Sequence, residues 1–234
     1  MLASATREHL YDSLRPQLSS KARGLTDSSP HEKKIIYVHV PKTGGYSISR
    51  SLRDAHALSD DAPHFLRHFN LQQLWDQGVD LTNTEKYILV VTVRNPYDHV
   101  HSLWEYYRHV YPAELQSQSF MEFVSNPPQK RYIISDHLYY NNGTHNIMPE
   151  FVIIHFESLE KDFKLFCSVY GFECSLDHLN QNIVKSTTKP KNDYEVVPPY
   201  TPEMREVIES LYRNDLYLFN YSYNSFVANW VSRR

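Results

Sequence analysis

The chain has 234 residues, 41% of them hydrophobic, and a formal net charge of −3. That is enough apolar material for one substantial core, within the usual ~100 to 200 residues per domain. The negative balance argues against a nucleic-acid binder, which needs a broad positive field.

Residues 1–30 are polar, with Ser-Ser-Lys-Ala-Arg and Thr-Asp-Ser-Ser-Pro, and predict an N-terminal helical extension over Thr6 to Leu14 joined by a linker to a single domain over residues 31–234. No apolar run approaches the ~20 residues of a membrane span. The chain is therefore expected to be cytoplasmic or otherwise soluble, with no signal peptide or anchor; a Golgi lumen location fits only a longer chain.

Ile35, Ile36, Val38 and Val40 predict a buried parallel strand that stops at Pro41-Lys42-Thr43-Gly44-Gly45, before a helix near Tyr46 to Ala55. Strand, glycine loop and helix N-terminus in that order can cradle a phosphate. Gly44 and Gly45 let backbone amides approach an anion, Lys42 supplies a full cation, and Thr43, Tyr46 and Ser47 supply hydroxyls. The lysine precedes the glycines, so this is not GxxxxGK[ST], which weakens a triphosphate-plus-magnesium reading. A tight βα turn whose glycines serve packing alone fits the same residues.

Next comes a His-rich loop, Pro63 to Asn70, and a turn of helix over Leu71 to Trp75. Tyr87 to Val93, YILVVTV, predicts a second buried strand leading into Arg94-Asn95-Pro96. Asn95 suits an N-cap and Pro96 a first helical turn, with the helix running to Tyr107. Ser102 lies about two turns beyond Arg94, so guanidinium and hydroxyl could grip one phosphate from two sides. A surface arginine and a helix serine with no joint task remain the plainer alternative.

Phe120 to Ser125 and Lys130 to Leu138 read as helical or irregular, Phe151 to Phe156 as a third strand, and Leu159 to Tyr170 as a helix. Thr201-Pro202-Glu203 starts the last helix with an N-cap, a first-turn proline and an acidic residue. Strands alternating with helices predict a parallel sheet whose loops share one crevice at the strand carboxyl ends. Trp104, Tyr106, Tyr107, Tyr111, Tyr139 and Tyr140 could line an acceptor cleft, although core packing is the commoner use of such residues. Cys167 and Cys174 have no metal-ligand spacing and are expected as reduced thiols, a local disulfide being possible. Asn142-Gly143-Thr144 and Asn220-Tyr221-Ser222 match a glycosylation sequon too short to carry weight.

VPKTGGYS resembles the 5′-phosphosulfate loop, and VRNPYDHVHSLW the 3′-phosphate motif, of sulfotransferases that use 3′-phosphoadenosine 5′-phosphosulfate, most closely the carbohydrate-directed branch with the heparan sulfate 2-O- and chondroitin-type enzymes. FVIIHFESLEKDFKLFCSVYGF and YTPEMREVIESLYRNDLYLFNYSY extend the similarity over about Lys33 to Tyr223. The resemblance implies a three-layer α/β fold of the P-loop NTPase type, a central parallel sheet flanked by helices. It also implies transfer of a sulfuryl group to a hydroxyl, on a carbohydrate or another acceptor, without a metal.

By that similarity Lys42 contacts the bridging oxygen, amides of Thr43 to Ser47 hold the 5′-phosphate, and Arg94 and Ser102 bind the 3′-phosphate. Related enzymes place a histidine before the second strand, which suits removal of a hydroxyl proton near neutral pH. His68 is the first choice, because Arg67-His68 resembles a Lys-His pair in bacterial relatives; His64 is the second. Other branches use a glutamate, and either histidine can be structural. Lys185, Lys189 and Lys191 fall in a loop the family uses near donor and acceptor. A P-loop small-molecule kinase and a non-catalytic nucleotide-binding module are the alternative functions.

Overall fold

In a computed structural model the described residues are 33–60, 68–83, 85–110, 118–126, 132–144, 146–147, 149, 151–173, 175–176 and 200–232. The expected N-terminal extension, His64, Lys185, Lys189, Lys191, Tyr111 and Cys174 lie outside them.

The chain divides into two compact units, one holding the described residues up to Val93 and those from Ile134 to Asp177, the other those from Arg94 to Ile133 and from His178 on. The first unit is built on three parallel strands, β1 (Lys34–Val38), β2 (Tyr87–Val93) and β5 (Val152–His155), in the order β1-β2-β5. Register pairs Lys34 with Tyr87 and Val38 with Val91, then Val90 with Val152 and Val93 with His155. Every residue of β2 is buried, as expected of a central strand covered on both faces. Beyond β1, Ile35 makes a parallel bridge to Leu58.

Side chains alternate across the sheet. Ile35, Tyr37, Ile88, Val90 and Ile154 join Ile48 and Leu52 of α1 (Gly45–Asp54) and Phe163, Phe166 and Tyr170 of α5 (Leu159–Tyr170) in one core. Cys167 is buried there too. The same unit holds α2 (Leu71–Asp76), closed by a capping box between Asn70 and Gln73. It also holds a short antiparallel pair, β3 (Tyr140–Asn141) and β4 (Asn146–Ile147). This pair was not expected, since two-residue strands carry no periodicity. A 3-10 turn, Ser135–His137, precedes it.

The second unit is helical: α3 (Pro96–Val110), α4 (Phe120–Ser125), α6 (Pro202–Leu211), α7 (Arg213–Leu218) and α8 (Tyr223–Ser232). Its core joins Tyr97, Leu103 and Tyr107 to Phe123, Tyr200, Ile208 and Phe226. Two expectations are corrected here. The helix after Arg94 continues past Tyr107 to Val110, because no breaker precedes Pro112. The helix begun by Thr201, whose side chain accepts from Met204 N–H, is not the last: the chain turns at Tyr212 and forms α7 and α8.

Candidate active site

In the first unit the loop after β1 is held from below. Thr43 is fully buried, and its hydroxyl donates to Val40 O at 2.8 Å. The Tyr37 hydroxyl meets Thr92 Oγ1 of β2 at 2.8 Å. Burial pushes the Tyr37 phenol up, opposed by its hydrogen bonds to Thr92 and Thr43, so it stays a neutral hydroxyl that joins strand to loop. The Thr43 hydroxyl is thereby committed inward, and what this residue can offer an anion is its backbone amide.

Lys42 has φ +64 and Gly44 φ +82. The left-handed region costs a residue with a β-carbon about 1–2 kcal/mol and costs glycine little, so Lys42 is the strained member of the pair, and such strain gathers at functional sites. A β-carbon on Gly44 would also lie 3.0 Å from Leu159 Cδ2 and 3.3 Å from Phe156 Cδ2. Gly45 is needed for a different reason. It opens α1, where a β-carbon would sit 2.1 Å from Cδ2 and 2.4 Å from Nε2 of the His39 ring. Gly44 brings no side chain to cap α1, and the first turn has no acidic residue, so the donors at this helix end meet no competing protein anion there. Tyr46 and Ser47 are half-buried in that first turn.

His68 is exposed, with Nδ1 3.2 Å from the His39 carbonyl oxygen and its ring edge-on to the His39 ring at 4.7 Å. A carbonyl only accepts, so Nδ1 carries the proton and Nε2 is the basic nitrogen. Burial lowers the pKa of His68, opposed by the hydrogen bond to His39. Burial, and next the charge on His68, lowers that of His39 to about 3. Both rings are therefore neutral near pH 7.

In the second unit Arg94 is 9% exposed and its Nε donates to Asp98 Oδ2 at 2.9 Å. Asp98, one turn on, is 3% exposed. Binding through Nε fixes the plane of the guanidinium. Asn95 caps α3 by accepting from Tyr97 N–H at 3.1 Å, and its Nδ2 donates to Ser222 O at 3.0 Å and Ser225 Oγ at 3.1 Å. Ser102 is half-buried on the second turn of the same helix.

Tyr107 and Tyr140 are core residues, Tyr140 packing on Trp75 at 4.8 Å. Trp104 lies between Phe120 at 4.9 Å and the Arg108 guanidinium at 4.7 Å. Tyr106 is 40% exposed. Sequence reasoning passed over His39 and Asp98. Asp98 was findable as the i+4 partner of Arg94, and His39 from the need for a second glycine at an ordinary helical position.

Among the described residues no group of three or more His, Cys, Asp or Glu is placed to hold a metal ion, and no helix is long and apolar enough to cross a membrane. The family model described as "Sulfotransferase family" matches residues 28–222. The chain belongs to the sulfotransferase family and is a transferase of sulfuryl groups. No curated protein and no solved structure matches it significantly.

Proposed function

We propose that this protein transfers the sulfuryl group of 3′-phosphoadenosine 5′-phosphosulfate to a hydroxyl of a carbohydrate acceptor, on a P-loop-like arrangement of strand, loop and helix. The observation that carries the reading is Lys42, held in a left-handed backbone two residues before the N-cap Gly44 of α1.

In this mechanism the amides from Thr43 to Ser47 hold the donor's 5′-phosphate at the start of α1. Lys42 meets the oxygen that bridges phosphorus and sulfur. As the acceptor oxygen attacks sulfur, the sulfur–bridging oxygen bond breaks, and Lys42 stabilises the negative charge arriving on the phosphate. Arg94, oriented by Asp98, binds the 3′-phosphate with Ser102, which selects this donor over adenosine nucleotides lacking that group. His68 accepts the acceptor's hydroxyl proton on Nε2, a role open to a neutral imidazole. His64 remains the second candidate for that base. The carbohydrate class rests on the likeness of VPKTGGYS and VRNPYDHVHSLW to the carbohydrate-directed branch.

Lys42→Ala is expected to lower turnover by about 10²–10³-fold while thermal unfolding stays unchanged. The measurement is transfer from labelled donor across a panel of glycans, phenols and small alcohols. Full turnover by folded Lys42→Ala would remove the lysine from the mechanism. Calorimetry separates the other readings: 3′-phosphoadenosine 5′-phosphate should bind, and adenosine triphosphate with magnesium should not. Donor binding with no transfer to any acceptor would mark a non-catalytic module.

A further inference from the structure

His39 has no part in the scheme above, yet it is built in with unusual care. The residue is 7% exposed and its Nδ1 is buried with no hydrogen-bond partner among the described residues. An unpaired buried nitrogen costs about 1–3 kcal/mol, which an apolar ring of similar size would not incur. A polar ring kept at such a place points to a task beyond filling space.

Three contacts define that task. The face of Gly45 receives the imidazole at a distance no side chain would permit. His68 stands edge-on to the same ring at 4.7 Å, and the His39 carbonyl accepts from His68 Nδ1 at 3.2 Å. The ring of Tyr37, a neutral phenol, lies 6.0 Å from it, centroid to centroid. One residue therefore touches both the helix end proposed to hold the donor and the histidine proposed as base. We propose that His39 is a positioning residue that seats His68 against the start of α1, with Nδ1 protonated and Nε2 presented as the basic nitrogen. This rests on the role given to His68 above.

The ring must itself stay neutral for this, since an imidazolium beside His68 would repel its protonated form and be buried without a counter-ion. Its strongly depressed pKa meets that need. Nothing in the arrangement makes His39 a base. It acts through His68.

The first test needs no variant: nitrogen chemical shifts of His68 in the intact protein, by 15N NMR, should show Nδ1 protonated and Nε2 bare at neutral pH. The reverse tautomer overturns the proposal. The second test is His39→Ala. With the ring gone, His68 is less shielded from water than before and its pKa returns upward toward the ordinary value, so the acidic limb of the turnover profile moves to higher pH. Turnover at saturating donor should fall at least tenfold, and affinity for 3′-phosphoadenosine 5′-phosphate should stay within about threefold. An unchanged profile, or a loss of turnover matched by an equal loss of nucleotide affinity, overturns the role, the latter by making His39 a plain support of the donor loop. If the variant does not fold, the wild-type nitrogen shifts decide. Failure of the underlying reading looks different: His68→Ala would then keep full turnover whatever His39 does.

Discussion

The loop after β1 and the turn before α3 each present one cation, and they hold it by different means. Lys42 is set by backbone: a left-handed residue, a glycine that no side chain could replace, and buried hydroxyls beneath. Arg94 is set by a side chain, the buried carboxylate of Asp98 in the first turn of the helix that follows it. A lysine is a flexible point charge whose origin must be placed, whereas an arginine is a planar fork whose orientation must be fixed. The difference teaches where each is fragile: the first at its glycines, the second at its ion pair.

Removing Arg94 should show this most strongly. Arg94→Ala leaves Asp98, its side chain 5% exposed, as a buried charge without its arginine, at a cost of about 3–5 kcal/mol. Denaturant unfolding measures that loss, and calorimetry with 3′-phosphoadenosine 5′-phosphate measures the loss of affinity that should accompany it. A fully stable Arg94→Ala protein would mean the pair contributes nothing to the fold.

Gly45→Ala should cost roughly 1–3 kcal/mol, because its β-carbon would meet the His39 ring. The double variant His39→Ala with Gly45→Ala should recover most of that loss, a coupling that a cycle of unfolding measurements reads directly. Simple additivity would show that the ring is not what excludes a side chain.

Stability should also fall with acid through His39. Its folded pKa of about 3 lies below the ordinary 6.5, so between those values the unfolded chain binds a proton that the folded chain refuses. The stabilisation is whole above pH 6.5 and is lost on the way down, at up to about 1.4 kcal/mol per pH unit. The wild-type minus His39→Ala difference in unfolding free energy isolates it, and a flat difference would contradict it.

The smallest effect has the opposite sign. Lys42→Gly relieves the left-handed strain and should raise stability by roughly 0.5–1 kcal/mol net of glycine's entropy, while transfer falls as far as in Lys42→Ala. A more stable but far less active protein would separate the two uses of this position.

Much of this could be read from the residues. The β-branched runs at Ile35 and Tyr87 define two strands because burial on both faces needs continuous apolar sequence. Pro202 after Thr201 marks a helix start by capping chemistry alone. The end of that helix was hidden, since SLYRNDLYLF contains no glycine or proline to mark the turn at Tyr212. Among the candidate residues, the lysine, the glycine pair and the arginine stand out in the sequence by type and spacing. Which hydroxyl of the loop faces inward, and which ring forbids a side chain at Gly45, do not. Those depend on Tyr37, Thr92 and His39 meeting across the sheet and the loop, contacts that no local pattern encodes.

The grip of Asn95 on Ser222 and Ser225 bears on how the protein can be shortened. The family match stops at residue 222, yet the amide beside Arg94 is anchored to the first turn of α8 beyond that limit. A fragment trimmed to the match would keep every motif and the Ser222 carbonyl but lose the Ser225 hydroxyl, so a workable piece must run at least through the first turn of the terminal helix.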